Sequence, residues 1–155
     1  MPISAEAPWL NYYGAIPRTL NYPRLTIYQL VAQTARECPD LPAYEFMGRR
    51  TSYRDFLARI DRAALALYTA GIRAGDRVTI CMPNTPRALD CFYALNRIGA
   101  VSNMIHPLSA EEEIRFYLDV SGSQAILTLD RFYGKVAAAA ARAKRKPKLW
   151  IARLQ

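Results

Sequence analysis

The chain has 155 residues and a formal charge of +8, from 21 Lys and Arg against 13 Asp and Glu. With 52% apolar and 22% charged residues it matches ordinary globular usage, which excludes a wholly disordered chain and leaves room for about one domain with a sizeable core. Every acidic residue lies at or before Asp130 and eight basic ones follow it, so a neutral body carries a basic end, a distribution that argues against a nucleic-acid-reading surface.

Cys38, Cys81 and Cys91 have no metal-ligand spacing, and an odd number of cysteines without a leader argues against a secreted disulfide framework. The start Met1-Pro2-Ile3-Ser4-Ala5-Glu6 lacks a basic patch and an apolar run, so no signal peptide is expected. No stretch approaches the roughly 20 apolar residues that cross a bilayer. The expected compartment is the cytoplasm, with at most peripheral contact at the inner membrane surface.

In chain order, residues 1–24 mix Pro2, Pro8, Pro17 and Pro23 with aromatics, which predicts an extended, docked N-terminal arm. Three helix starts follow, each with a capping side chain and a partner three residues on: Thr26 with Gln29, Ser52 with Asp55, and Ser109 with Glu112. The first helix is expected over 27–37, stopping at Pro39, and residues 42–52 read as a hairpin turning at Gly48. A second helix over 53–70 places Phe56, Leu57, Ile60, Ala64, Leu67 and Tyr68 on one stripe, with Gly71 as its left-handed stop.

From Arg77 a repeating unit begins. Apolar runs at 78–82, 100–105 and 124–129 alternate with helices through Arg97, capped by Thr85 and Pro86, and over 110–121. A further helix rich in alanine, then Leu149 to Ala152, adds a fourth strand. Strand starts recur about every 23 residues, the spacing of β-α-β crossovers, so the fold class is α/β with a parallel sheet and helices on both faces. A strand arriving at the last residues suggests a piece of something longer, so residues 25–155 read as a partial α/β subdomain, incomplete at its C-terminal end.

This fold invites a search for phosphate loops. The first strand of the repeat is followed by Met82-Pro83-Asn84-Thr85-Pro86, with no glycine for a pyrophosphate to approach, and no Gly-rich loop ends in Lys-Ser or Lys-Thr. No catalytic residue and no metal ligand is assigned. His106 stands alone after the second strand of the repeat, without an orienting partner. Glu111, Glu112 and Glu113 open a helix, where negative charge meets the positive end of the dipole. Cys81 and Cys91 read as buried structural thiols, and the basic stretch 135–148 as the solvated end of a helix.

The order of short motifs carries a family resemblance. Thr51-Ser52-Tyr53, Ala70-Gly71-Ile72, Gly75-Asp76-Arg77-Val78, Met82-Pro83-Asn84, Gly99-Ala100-Val101 and Pro107-Leu108 together resemble the N-terminal region of adenylate-forming (AMP-binding) acyl-CoA synthetases. The opening Pro8-Trp9-Leu10 with Tyr12, Tyr13 and Tyr22-Pro23 is similar to the arm of bacterial long-chain fatty-acid:CoA ligases. The resemblance implies an enzyme that activates a medium- or long-chain fatty acid with ATP and Mg²⁺ to acyl-AMP, then transfers it to coenzyme A. It also implies that the phosphate loop and the catalytic lysine lie later in the family's chain, so these residues alone are expected to be inactive. Carried over by position, His106 and Pro107, with Arg131 and Lys135 after the next strand, lie near coenzyme A, and the arm serves homodimer contacts. The alternative is a stand-alone, noncatalytic module that binds coenzyme A or a partner chain.

Overall fold

The computed structural model describes residues 7–153. Among the described residues, five α-helices and six strands follow the expected order: α1 (Ile27–Glu37), β1 (Pro42–Phe46), β2 (Arg49–Ser52), α2 (Tyr53–Thr69), β3 (Arg77–Cys81), α3 (Pro86–Ile98), β4 (Val101–Ile105), α4 (Glu111–Ser121), β5 (Ala125–Leu129), α5 (Tyr133–Arg142) and β6 (Lys148–Ala152). Strands β1 and β2 form an antiparallel hairpin. Its two turn residues, Met47 (φ 51°) and Gly48 (φ 77°), both have positive φ, which suits the twist of a two-residue hairpin.

The other four strands make one parallel sheet in the order β4-β3-β5-β6. Parallel pairing buries both faces of the central strands, and β3 and β5 are accordingly buried almost throughout. Alternation then sorts their side chains. Val78, Ile80, Ala125, Leu127 and Leu129 pack with Phe56, Ile60 and Leu67 of α2 and Leu95 of α3. Cys81 and Ile126 pack instead with Ile114 and Leu118 of α4 and Val136 and Ala139 of α5. The expected helices on both faces are therefore present. On the α4 side, Asn103 Nδ2 donates to Thr79 Oγ1 (3.0 Å), which hydrogen-bonds Ser123 Oγ (2.7 Å), and that hydroxyl bonds Ser121 Oγ (2.8 Å). The chain of hydroxyls satisfies the buried Thr79 and fixes the end of α4 to the sheet.

The helix ends test the capping expectations one by one. Thr26 and Gln29 form the reciprocal capping box. Ser52 Oγ accepts from the Asp55 N–H at 3.1 Å, but the Asp55 carboxylate takes the Ser52 hydroxyl (2.8 Å) and not its backbone. The third start is corrected. Ala110, not Ser109, occupies the cap position of α4, and Glu113 reaches back to the Ala110 N–H at 2.9 Å. The Ser109 N–H is held by the His106 carbonyl (3.2 Å) in the preceding turn, which places that residue one position outside the helix. At the other end of α2, the Ile72 N–H bonds the Leu67 carbonyl across Gly71 (φ 102°), closing the helix as expected.

Residues 8–12 of the arm form a single 3-10 turn, Pro8–Tyr12, and Trp9, Tyr12, Ile16, Leu20 and Tyr22 are exposed. Residues 1–6 of the arm lie outside the described residues.

Candidate functional site

The strand order makes a switch point. The chain leaves β3 through α3, on the α2 face, to reach β4, whereas the helix after β5, α5, lies on the opposite face. The loops after β3 and β5 therefore part at adjacent strand ends, the place where sheets of this kind hold ligands. Its base is tied by Thr128, whose hydroxyl donates to the Cys81 carbonyl at 3.0 Å. This tie was not legible in the sequence, because nothing along the chain shows that residues 81 and 128 end neighbouring strands.

All four expected contact residues follow carboxyl ends of the parallel strands, and two of them follow β5, beside the switch point. Arg131 sits in a short 3-10 turn directly after β5, exposed, and Lys135 lies in the first turn of α5, partly buried. The Lys135 ammonium is close enough to lower the Cys81 thiol somewhat, yet burial dominates and pushes that thiol up to about 11. Cys81 is thus a neutral core group. Among the described residues neither Arg131 nor Lys135 pairs its charge with a carboxylate, so both cations remain available to an anionic ligand.

His106 and Pro107 follow β4, on the other side of β3. His106 Nδ1 accepts the Leu108 N–H at 3.2 Å, so the ring braces its own turn, and its neutral form carries the proton on Nε2. His106 is exposed and Pro107 is buried. Among the described residues His106 makes no contact with Arg131 or Lys135 through a hydrogen bond or ion pair. Two cations without a carboxylate partner are chemically suited to an oxyanion.

The acidic run at Glu111 behaves as expected of a helix start, with Glu113 bonded to the backbone and Glu112 held below the usual carboxylate range by Arg115. Among the described residues no three His, Cys, Asp or Glu side chains stand together as a metal site. The turn after β3 has no glycine of the kind that lets backbone approach a phosphate.

Residues 31–154 match the model of the AMP-binding enzyme family. The chain belongs to the AMP-binding enzyme family. A long-chain-fatty-acid–CoA ligase of Bacillus subtilis is 29% identical over 134 residues, which is 86% of this chain and 24% of that relative. The chain therefore spans about a quarter of the length of the curated relatives it matches. In three dimensions it resembles the N-terminal domain of FACL13 from Mycobacterium tuberculosis, with a TM-score of 0.74, 29% identity, and coverage of 82% of this chain and 33% of that one. The Mycobacterium tuberculosis fatty acyl CoA synthetase gives 0.75 at 29% identity, over 83% of this chain and 26% of that one. The sequence resemblance and the sheet with helices on both faces are thereby borne out. No described helix of this family member is long and apolar enough to cross a membrane.

Proposed function

We propose that the chain is the N-terminal α/β part of an ATP-dependent acyl-CoA ligase acting on a medium- or long-chain fatty acid. In such a reaction a carboxylate, a poor electrophile, gains AMP as leaving group and is then captured by the thiol of coenzyme A. This part contributes the floor of the ligand crevice. Arg131 and Lys135, with unpaired charge at the switch point, hold phosphate of coenzyme A, and the His106-Pro107 turn flanks it. The observation that carries this reading is the pair of cations at the edge where β3 and β5 diverge.

An apolar flank supports the view that more protein packs here. Val101 and Met104 on the edge strand β4, Leu108 after it, and Phe116 and Val120 on α4 are all exposed. The exposed aromatics of the arm support homodimer contacts in the same way.

Titration calorimetry with coenzyme A and with pantetheine, which lacks the phosphates, tests the reading. Replacing Arg131 and Lys135 by Ala is expected to weaken coenzyme A about tenfold or more and leave pantetheine unchanged. Equal coenzyme A affinity in parent and variant overturns the assignment. The 155 residues alone are expected to release no pyrophosphate from ATP and fatty acid, and turnover by them refutes the division of labour.

A further inference from the structure

A second cationic feature lies away from the crevice. Between the β1–β2 hairpin, α2 and the start of α3 is a hollow of about 300 Å³, with Tyr44, Arg49, Arg50, Arg59, Arg62 and Arg87 in its wall. A hollow of about 250 Å³, also lined by Arg59, Arg62 and Arg87, reaches to Asp90. Guanidinium groups repel one another, so five converging from three elements require compensation. Two carboxylates supply it. Glu45 takes Arg50 at 2.9 Å, and Asp90 Oδ2 takes both Nε and Nη2 of Arg59 at 3.0 and 2.9 Å, with Arg87 at 4.0 Å.

Among the described residues Arg49 and Arg62 make no ion pair. The Tyr44 hydroxyl is buried and has no hydrogen-bond partner, although its ring is fixed edge-on against Phe56 at 5.3 Å. A buried O–H donor beside a surplus of cations is the complement of an oxyanion.

We infer that this hollow binds a small phosphorylated molecule, with Arg49 and Arg62 on its phosphate oxygens and Tyr44 donating a hydrogen bond. The concave shape and its volume suit a small ligand better than a nucleic-acid backbone, which needs an extended basic track. The inference does not depend on the ligase reading, since it uses none of the residues at the sheet edge.

Titration of the 155-residue chain with inorganic pyrophosphate at low ionic strength tests it. Binding is expected at one site per chain, at least about tenfold weaker in both Arg49→Ala and Arg62→Ala, with partial recovery in Arg62→Lys. Tyr44→Phe keeps the ring against Phe56 and is expected to weaken binding about threefold or more. Circular dichroism melts establish that each variant folds. Undiminished binding in the Arg49 and Arg62 variants overturns the inference, as does loss in Arg131→Ala and Lys135→Ala instead. Displacement of pyrophosphate by a single-stranded DNA oligomer at lower concentration points to a macromolecular ligand and likewise overturns it.

Discussion

Arg142 Nη1 lies 3.0 Å from Glu111 Oε1, joining the last residue of α5 to the first residue of α4 across 31 positions of sequence. The same guanidinium also pairs with Glu112, and the Lys144 N–H bonds Asp119 Oδ1 at 2.7 Å. The basic end of the chain is thus partly neutralised by the acidic helix it packs against. Arg142→Ala is expected to lower the melting temperature slightly at low ionic strength. The difference should vanish near 1 M salt, where the screening length is about 3 Å, because both partners are well exposed. A salt series of thermal melts checks this.

Asp90 is buried, and burial raises its carboxyl above the ordinary range despite the opposing pull of Arg59. Removing the guanidinium leaves that carboxylate stranded, so Arg59→Ala is expected to destabilise the fold by about 3 kcal/mol in urea melts. The sign of the pH effect follows from the direction of the shift. A carboxyl raised in the folded state penalises folding above its folded pKa and ceases to do so once it is protonated. Relative to Asp90→Asn, the parent should therefore gain stability as pH falls from 7 through the raised pKa, and a difference constant with pH contradicts the shift.

The cap correction is directly testable. Ser109 bonds outside α4, so Ser109→Ala is expected to change stability by less than about 0.5 kcal/mol. Thr85 accepts the Ala88 N–H at 3.3 Å as the cap of α3, and Thr85→Ala should cost about 1 kcal/mol. Urea titrations of the two variants give the comparison.

Cys81 is fully buried and Cys91 is half-buried, with burial pushing their thiols up to about 11 and about 12. Iodoacetamide at pH 8 attacks thiolate, so the folded chain is expected to be alkylated at Cys38 first, and at all three only after denaturation. Mass spectrometry of peptides reads the order, and early labelling at Cys81 would contradict its placement in the core.

Gly99 ends α3 at φ 83°, and a Cβ there would approach the Ala74 Cβ to 3.3 Å. Gly99→Ala is expected to cost about 1–2 kcal/mol, from the left-handed backbone together with the close approach. Gly71, at φ 102° with open space around it, should lose less on the same substitution. Paired thermal melts separate the two contributions.

Local chemistry was readable wherever a signal and its partner lie within a few residues. Thr26 with Gln29, Thr85 before Pro86, and the glycines closing α2, α3 and α4 all act within one helical turn, and the hairpin pairs neighbouring segments. The alternation of short apolar runs with helices likewise announced parallel strands. Ser109 misled because His106 captures its backbone N–H, a contact that depends on how the loop after β4 is folded.

The sequence by itself determined the element order, the parallel α/β class and the family, because periodicity, caps and motif order are properties of the chain. Only the tertiary structure decided which strands are neighbours, and hence that Thr128 meets Cys81 and that Arg131 and Lys135 reach the switch point while His106 lies across β3. It also decided that Arg49 and Arg62 face one hollow and that Arg142 meets Glu111. Strand order and helix packing arise from burying apolar faces between distant segments, and the charges carried on those segments are brought together only once that burial is complete.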